Sequence, residues 1–390
     1  MSEVTFSYKK YLVFFNTVNV TDMVLNVSMY YDTQSPVLSA NISMMDSNDL
    51  LSTMNLTSGD VHVLVEFSVV RDGVESEVSC EYYIHSIKDK VQQNQKTMLY
   101  TAVCMSNAYK TFTTTRIARQ LKGYAPKIAS ELISQHTLNV SVETTQSDVE
   151  INMSSNNDTL INVLARLTKN STQNGRASYL LYQKTHHTMC MHTINDLLTK
   201  QSGQTFYYRV LGVTPKRGVS TKNRHIVTKY EVQHPITTNN NVTGYTGSTA
   251  TTYDIMNKRS TTKVVANNNQ VDAANEKLTP QSNKHVLVSA AGVLPNAGQL
   301  ENPSSTISNR MAELMRLEQE KVLVQVQGHT ELHKHLGTTA NLELPSQTDT
   351  KQYTLDTKRS GEYVITAIED TFNRQYYITN VELTKLKLER

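Results

Sequence analysis

The sequence predicts an α+β protein that is mainly β, with two similar antiparallel β-barrels, an α+β domain between them and a polar insertion in the second barrel. Three observations lead to this prediction. Apolar residues alternate with other residues before residue 110, helical periodicity replaces the alternation over 111–204, and alternation then returns. A stretch near the C-terminus also repeats one from the first third of the chain.

The chain of 390 residues is poor in both apolar and charged side chains. Hydrophobic residues, counting Tyr, make up 38% and charged residues 19%, whereas ~45–50% and ~25% are typical. Uncharged polar residues fill the difference, which favours sheets and loops with thin cores. The net charge of +3 is too small for the electrostatic footprint of a nucleic-acid or membrane-surface binder.

Targeting signals and cysteine motifs are missing from the sequence. No stretch approaches the ~18 consecutive apolar residues of a membrane span, and the first residues lack a signal-peptide cleavage pattern. We therefore expect a soluble chain, made in a cytoplasm and without membrane insertion. Cys80, Cys104 and Cys190 are odd in number and form no Cys-x-x-Cys motif, so we expect free thiols.

Residues 1–110 are predicted to form the first barrel. One face of its clearest strand carries Val61, Val63, Val65, Phe67 and Val69. The polar run 46–49 can cap a short helix, and Gly59 with Asp60 turns the chain into that strand.

Residues 111–204 are predicted to form a separate α+β domain. Ile117 and Leu121 lie four apart, as on one face of a helix, and a further helix has Pro126 in its first turn. A third helix spans 157–170. Two strands are predicted at 178–183 and 188–194.

The second barrel is predicted to be discontinuous, with residues 205–235 and 321–390 on either side of an insertion at 236–320. Within the insertion, residues 236–303 are rich in Asn, Thr, Gly and Pro, which predicts an irregular segment. A helix that starts near Pro303 is expected to end the insertion. Its face would carry Ile307, Met311, Leu314, Met315 and Glu318.

An internal repeat supports the two barrels. Residues 81–91 align without gaps on 362–372, sharing Glu, Tyr, two Ile and Asp. After a turn three residues shorter in the second copy, 100–103 aligns with 378–381. A glycine precedes the upstream strand in both copies, at Gly59 and Gly337. The ordered recurrence of glycine, strand and hairpin indicates a duplicated barrel.

Histidine-rich segments are the densest candidates for metal binding. His186, Cys190 and His192 would share one face if they lay on one strand. They would then be spread too far apart for a single tetrahedral ion, which usually takes ligands from two elements. The same argument applies to the turn that carries His329, His333 and His335. We assign no metal-binding residue.

Catalytic patterns are absent from the sequence. It has no Gly-x-Ser-x-Gly elbow and no phosphate-binding glycine loop. The carboxylate pairs Asp46/Asp49 and Glu369/Asp370 are better explained by a helix cap and a strand edge. We therefore expect a protein that is not an enzyme, with no catalytic residue, no cofactor-binding residue and no cofactor.

The order and spacing of these elements resemble the central baseplate hub protein of T-even-type contractile-tailed bacteriophages. The hub portion of type VI secretion spike proteins is similar. The resemblance rests on ISMMDSNDLLSTMNLTSGDVHVLVEF (42–67), NDTLINVLARLTKN (157–170) with SYLLYQKTHHTMCMH (178–192), SNRMAELMRLEQEKVLVQVQGHTEL (308–332) and SGEYVITAIEDTFNRQYYITNVEL (360–383). No functional side chains carry over, since that family works through surfaces.

The resemblance implies a structural hub of a phage tail baseplate in the virion, assembled in the host cytoplasm. Each chain of a homotrimer would contribute two tube-type barrels, so that the ring has pseudo-sixfold symmetry and joins a sixfold tail tube to a threefold spike. The implied partners are a tail-tube or baseplate ring protein, the central cell-puncturing spike and a tape-measure protein in the lumen, with DNA only in passage.

Two other functions remain open from the sequence. The chain could be the hub of a related secretion or bacteriocin injection apparatus, which has the same fold. A metal-dependent enzyme that uses the His186–His192 cluster is the less favoured alternative. The role of 236–303 also stays open between a spike-binding domain and a peripheral decoration.

Overall fold

The computed structural model describes residues 6–56, 60–71, 74–94, 96–137, 139–173, 178–208, 223–233, 247–254, 259–266, 310, 314, 317, 320–346 and 355–385. Its main feature is a sheet of 13 strands that runs through two barrel units, with an α+β domain packed beside them. The mainly β fold class predicted from the sequence is confirmed.

Barrel unit 1 is a curved antiparallel sheet near the N-terminus. Its elements are β1 (Phe6–Phe15), β2 (Val18–Asn19), β3 (Val24–Asp32), β4 (Ser39–Asp46), α1 (Leu50–Thr53), β5 (His62–Arg71), β6 (Val74–Gln92) and β7 (Met98–Ser106). The six long strands lie in the order β1-β5-β6-β7-β4-β3. The predicted face of β5 is confirmed, since Val63, Val65 and Phe67 are fully buried.

The α+β domain follows barrel unit 1. Its elements are α2 (Asn107–Thr114), β8 (Arg116–Ile117), β9 (Gln120–Tyr124), α3 (Ala125–His136), β10 (Ser141–Thr144), β11 (Glu150–Ser154), β12 (Asp158–Thr159), α4 (Leu160–Asn170), β13 (Tyr179–Thr185), β14 (Thr188–Thr193) and α5 (Ile194–Thr199). The helix with Pro126 in its first turn is α3, and the third predicted helix is α4.

The predicted helix through Ile117 and Leu121 is wrong. The two residues lie on different strands, β8 and β9, which pair with β12 and β11. Both side chains are buried in the core of the α+β domain. The spacing of four residues therefore comes from two short strands whose side chains are buried in the same core. Local periodicity does not show this arrangement, because each strand is paired with a partner farther along the chain.

Barrel unit 2 is built from two separated stretches of chain. Its elements are β15 (Gln201–Tyr208), β16 (Arg224–Gln233), β19 (Lys321–Gln327), β20 (Thr339–Glu343), β21 (Gly361–Phe372) and β22 (Tyr377–Thr384), with β17 (Gly247–Asp254) and β18 (Arg259–Ala266) in the insertion between them. Its six strands close into a barrel, because β21 pairs with β22 and β15 pairs with both β16 and β20.

The insertion is not wholly irregular, contrary to the sequence-based expectation for 236–303. β17 and β18 form an antiparallel hairpin with eight paired positions, from Gly247↔Ala266 to Asp254↔Arg259. The Thr-rich composition suits β-strands. The predicted helix from Pro303 lies largely outside the described residues, as do Ile307, Met311, Met315 and Glu318, while Leu314 packs against the core of the barrel units.

The structure supports the internal repeat. Barrel unit 2 has the order β15-β20-β21-β22-β19-β16, which matches β1-β5-β6-β7-β4-β3 element by element. The β6–β7 ladder shifts register between Ile84 and Ser86, and the β21–β22 ladder shifts between Ile365 and Ala367. The ungapped alignment places Ile84 on Ile365, so the two irregularities are at the same position.

The second half of the sequence alignment is off by one residue. In the ladders Ala102 pairs with Ile87 and Val381 pairs with Ile368, so Ala102 corresponds to Val381, whereas the sequence alignment placed Val103 there. The cause is a bulge in β6 between Lys88 and Val91, which β21 lacks. A bulge adds one residue to one strand of a pair.

The two units differ in the direction of one strand. β1 runs antiparallel to β5, whereas β15 runs parallel to both β20 and β16. Barrel unit 2 closes through β15, while β1 and β3 form no ladder with each other within the described part of the chain. The duplication therefore preserves five strands in direction and all six in order.

Tight contacts hold the α+β domain on the barrel units. Gly337 has φ +73°, and a Cβ at this position would lie 2.4 Å from the Tyr182 hydroxyl oxygen of β13. Gln183 accepts hydrogen bonds from the Leu38 amide at 3.1 Å and from the Ser106 hydroxyl at 2.7 Å. The Tyr182 contact leaves no room for a side chain at Gly337.

The three thiols are free and buried, as expected for Cys80, Cys104 and Cys190. Burial raises the pKa of Cys80 and Cys190 to about 12, so both thiols are neutral at pH 7. Among the helices that the structure describes, none has the length and apolar character that a membrane span requires.

Candidate functional site

The joint between the two barrel units is an antiparallel strand pair. β3 of unit 1 lies against the second half of β21, from Ala367↔Asp32 to Phe372↔Val27. The Ser28 and Thr371 hydroxyls are 3.1 Å apart across it. One edge of β21 is therefore shared, with β20 on its first half and β3 on its second half.

An aromatic cluster fills the space behind this joint. Phe372 of β21 lies 4.4 Å from Phe67 of β5 and 6.0 Å from Tyr11 of β1, measured between ring centroids. Tyr377 is 5.6 Å from Phe67. Because rings of both units pack together, the two units share one continuous hydrophobic core.

Asp370 is buried at the joint, near the C-terminal end of β21. Its Oδ1 accepts hydrogen bonds from Thr379 Oγ1 at 2.6 Å and from the Tyr377 hydroxyl at 3.2 Å. Burial raises the pKa of this carboxyl to about 7, although both hydrogen bonds act in the opposite direction. The prediction of a simple strand edge for Glu369 and Asp370 is therefore wrong for Asp370, because the fold around it covers that edge.

The corresponding edges on the outer sides of the two units are open. In the described part of the chain, residues 85–92 of β6 pair only with β7, and residues 228–233 of β16 pair only with β19. β6 corresponds to β21 and β16 corresponds to β3. Because β3 pairs with β21 inside the chain, the open edges of their counterparts β16 and β6 are complementary to each other.

A groove of about 450 Å³ lies on the sheet face formed by β3, β16, β19, β21 and β22. Its charged lining residues are Asp32, Lys229, Glu231, Glu369 and Glu382. Carboxylates outnumber the single lysine, so this face repels rather than attracts a phosphate backbone.

The histidine hairpin at β13–β14 has its turn where the predicted strands at 178–183 and 188–194 place it. His186 lies in that turn, and its ring packs edge-on against Tyr82 of β6 with centroids 4.9 Å apart. Burial lowers the pKa of His186 to about 3. The predicted single face of three ligands therefore contains only Cys190 and His192.

Glu143 joins Cys190 and His192, and sequence reasoning missed it. β10 runs parallel to β14 with Glu143 opposite Cys190, and the donor atoms of the three residues lie within 4.8 Å of one another. Carboxylate, thiolate and imidazole are all zinc ligands. Only the pairing of β10 with β14, 47 residues apart in sequence, reveals this group.

Other groups already contact the imidazole of His192. The Tyr182 hydroxyl lies 3.2 Å from its Nδ1, and Lys200 Nζ lies 2.9 Å from its Nε2. Burial, together with the nearby Lys200 charge, lowers the pKa of His192 to about 4. The ring is therefore a neutral member of a hydrogen-bond network, and an ion would have to displace one of its partners.

The second histidine group is dispersed around a 3-10 helix at Leu332–His335. His333 stacks on Tyr31 of β3 with centroids 5.0 Å apart, and burial lowers its pKa to about 4. His329 contacts His225 edge-on at 4.9 Å. His335 Nε2 lies 3.1 Å from Gln204 Nε2. These rings pack against different neighbours and do not converge on one point.

The carboxylates before α1 act as structural groups, as predicted. Asp46 Oδ2 accepts a hydrogen bond from the Leu51 amide at 3.2 Å, and its Oδ1 accepts one from the Asn48 amide at 3.0 Å. Asp49, at the first position before α1, makes no capping bond to the backbone. Asp46 is therefore the residue that caps the helix.

No protein-family model and no curated protein matches this sequence. Two solved structures match it along nearly the full length. The tail protein from Neisseria meningitidis MC58 has 10% identity and a TM-score of 0.53, with 97% of each chain covered. The 43 kDa tail protein of prophage MuSo2 from Shewanella oneidensis has 10% identity and a TM-score of 0.55, with 97% of this chain and 99% of that chain covered.

The chain therefore has the fold of phage tail proteins, and at the level of the fold the resemblance to tail hub proteins seen in the sequence is confirmed. The aligned residues span 97% of this chain in both comparisons.

Proposed function

We propose that this protein is a structural component of a phage tail baseplate or of a related injection apparatus, and that it works through surfaces rather than by catalysis. The observation that carries the proposal is the pair of barrel units with the same strand order, joined edge to edge by β3 and β21. The full-length likeness in fold to two phage tail proteins supports it.

The finer proposal is a homotrimeric hub. Two similar units per chain give six units in a trimer, so one face of the ring has pseudo-sixfold symmetry while the assembly keeps threefold symmetry. Such a ring fits between a sixfold tail tube or baseplate ring and a threefold central spike. The open outer edges of β6 and β16 are what a closed ring of this kind requires.

The lumen of the ring would serve as part of the DNA conduit, with a tape-measure protein inside it before ejection. The net charge of +3 supports passage rather than binding, because a basic lumen would retain the phosphate backbone. The site of action would be the tail baseplate of the virion, after assembly in the host cytoplasm.

Light scattering of the purified protein tests the trimer. A mass of about 132 kDa is expected for three chains of 43.9 kDa, either alone over a concentration series or after addition of the spike protein encoded with it. A chain that remains at one third of that mass under both conditions contradicts the hub function.

A metal-dependent enzyme is the second candidate, favoured by the grouping of Glu143, Cys190 and His192. Metal analysis of the purified protein separates the two functions. A stoichiometric ion that is lost in His192→Ala, together with a hydrolytic activity that falls with it, would favour the enzyme. The structural proposal expects the same metal content, well below one ion per chain, in both proteins.

A further inference from the structure

The joint inside the chain provides a template for a joint between chains. In it, Glu369 of β21 lies opposite Tyr30 of β3. The repeat places Lys88 of β6 at the position of Glu369. The register shift that β3–β4 shows after Val24 recurs in β16–β19 after Val227, which places Gln233 at the position of Tyr30. Lys88 and Gln233 are therefore the counterparts of an observed pair.

Side-chain exposure distinguishes the open edges from the covered ones. Ile368 at the covered edge is 2% exposed, whereas its counterpart Ile87 is half-buried. Val27 and Met29 of β3 are buried, whereas their counterparts Tyr230 and Val232 of β16 are half-buried. No described strand covers the apolar side chains at the two open edges as β3 and β21 cover their counterparts.

The charges on the two open edges do not oppose pairing. Lys88, Asp89 and Lys90 are exposed on β6, a net charge of +1, and Lys229 and Glu231 are exposed on β16, a net charge of zero. Opposite charges across an antiparallel pair stabilise it, while like charges oppose it. In the register of the template Glu231 lies diagonal to Lys88, and a second copy of the chain supplies the matching backbone edge.

The β6 edge differs from its template in one respect. The extra residue between Lys88 and Val91 leaves Asp89 with φ +52°, and Val91 is 57% exposed. β21 continues through the same region without a bulge. Bulges and charged residues on an edge strand are the features by which proteins reduce unwanted edge-to-edge pairing.

We infer that β16 of one chain adds in antiparallel orientation to residues 85–92 of β6 in a second copy, and that the Asp89 bulge makes this joint weaker than the one between β3 and β21. This inference rests on the proposed ring. It adds the register of the joint, with Lys88 facing Gln233 of the next chain. It also gives a reason why assembly would depend on conditions, because the bulge on the β6 edge of the free chain opposes strand pairing.

Disulfide trapping tests the register. Paired residues on neighbouring strands have Cα atoms about 4.5–5.5 Å apart, within the range that a disulfide spans. The double variant Lys88→Cys with Gln233→Cys is expected to form covalent dimers and trimers under mild oxidation on a non-reducing gel. Lys88→Cys with Gln325→Cys is the matched control and is expected to stay monomeric, because Gln325 lies one strand away from the edge on β19.

Deletion of Asp89 tests whether the bulge weakens the joint between β6 and β16. Removing the extra residue gives β6 the regular ladder of β21, so the concentration at which half of the chains are trimeric is expected to fall at least about tenfold. Asp89→Ala, which keeps the residue count, is expected to leave that concentration within about twofold. The melting temperature checks that both variants fold.

These experiments separate failure of the inference from failure of the proposed function. If the wild-type chain forms trimers but the Lys88/Gln233 cysteine pair does not cross-link, the ring stands and this joint is wrong. If the folded deletion variant trimerises no more tightly than the wild type, the inference that the bulge weakens the joint is wrong. If no protein trimerises under any condition, the hub function itself fails.

Discussion

The two barrel units place equivalent residues in opposite environments. The alignment pairs Asp89 with Asp370, yet Asp89 is exposed in a bulge with φ +52° while Asp370 is buried between hydrogen bonds from Thr379 and Tyr377. The difference arises from one neighbour: β3 covers the edge of β21, and no described strand covers the edge of β6. Burial in this protein is thus set by strand partners more than by the local sequence.

The largest expected effect concerns the aromatic cluster at the joint. Phe372→Ala removes a fully buried ring that contacts Phe67, Tyr11 and Tyr377, so the free energy of unfolding is expected to fall by about 3–5 kcal/mol. Val91→Ala, near the equivalent position of the open edge, is expected to change it by less than about 0.5 kcal/mol in the monomer. Urea titration at equal protein concentration measures both. Equal losses would show that the two edges do not differ in burial.

Asp370 should make stability depend on pH. Its pKa in the folded chain is raised to about 7, from about 3.9 in an unfolded chain. The folded state therefore holds this proton more tightly, and its contribution to stability is fully present below about pH 4 and is lost as pH rises to about 7, a change of about 4 kcal/mol.

Asp370→Asn is expected to abolish that part of the pH dependence, because the amide does not titrate while its oxygen still accepts the two hydrogen bonds. Asp89→Asn is the matched control and should leave the pH profile as in the wild type. Denaturant unfolding at several values between pH 5 and pH 8 gives the comparison. The buried histidines His186, His192 and His333 have lowered pKa values and make stability rise with pH in both proteins, so the test is the difference between the two profiles. Parallel wild-type and Asp370→Asn profiles between pH 5 and pH 7 would contradict the assignment.

A smaller effect is expected where the α+β domain contacts barrel unit 1. Gln183→Ala leaves the buried Leu38 amide and Ser106 hydroxyl without the acceptor that they share, at a cost of about 1–3 kcal/mol. Gln183→Met keeps most of the volume of this buried side chain but removes the same acceptor, so it separates lost packing from the lost hydrogen bonds. Differential scanning calorimetry measures both. A loss below about 0.5 kcal/mol in Gln183→Ala would mean that water replaces the missing oxygen.

Local patterns predicted the elements that depend on neighbours in sequence. Alternating valines predicted β5, the first-turn proline and apolar spacing predicted α3, and an eleven-residue match predicted the repeat that the ladders display in their shared register shift. The same patterns failed at Ile117 and Leu121, where two short strands gave a helical spacing. They also gave no sign of the β17–β18 hairpin, whose residues are mostly polar.

The grouping of chemically active side chains was beyond sequence reasoning. Glu143 has no pattern that connects it with Cys190 and His192, because a parallel strand pair brings them together across an intervening helix and three strands. Lys200 and Tyr182 then occupy both ring nitrogens of His192. Which side chains meet depends on strand order, and strand order is a property of the folded chain.

Residue patterns were enough to predict the β-rich class, the positions of the main strands and helices, and the duplication. Alternation and helical spacing are properties of residues close together in the chain, and a repeat is found by comparing two segments. Only the tertiary structure shows that β15 runs parallel to its neighbours, that β3 joins the two units, and that no described strand covers the second half of β6 or of β16. Those features depend on pairing between strands far apart in sequence. The burial and pKa of Asp370 follow from the same long-range pairing.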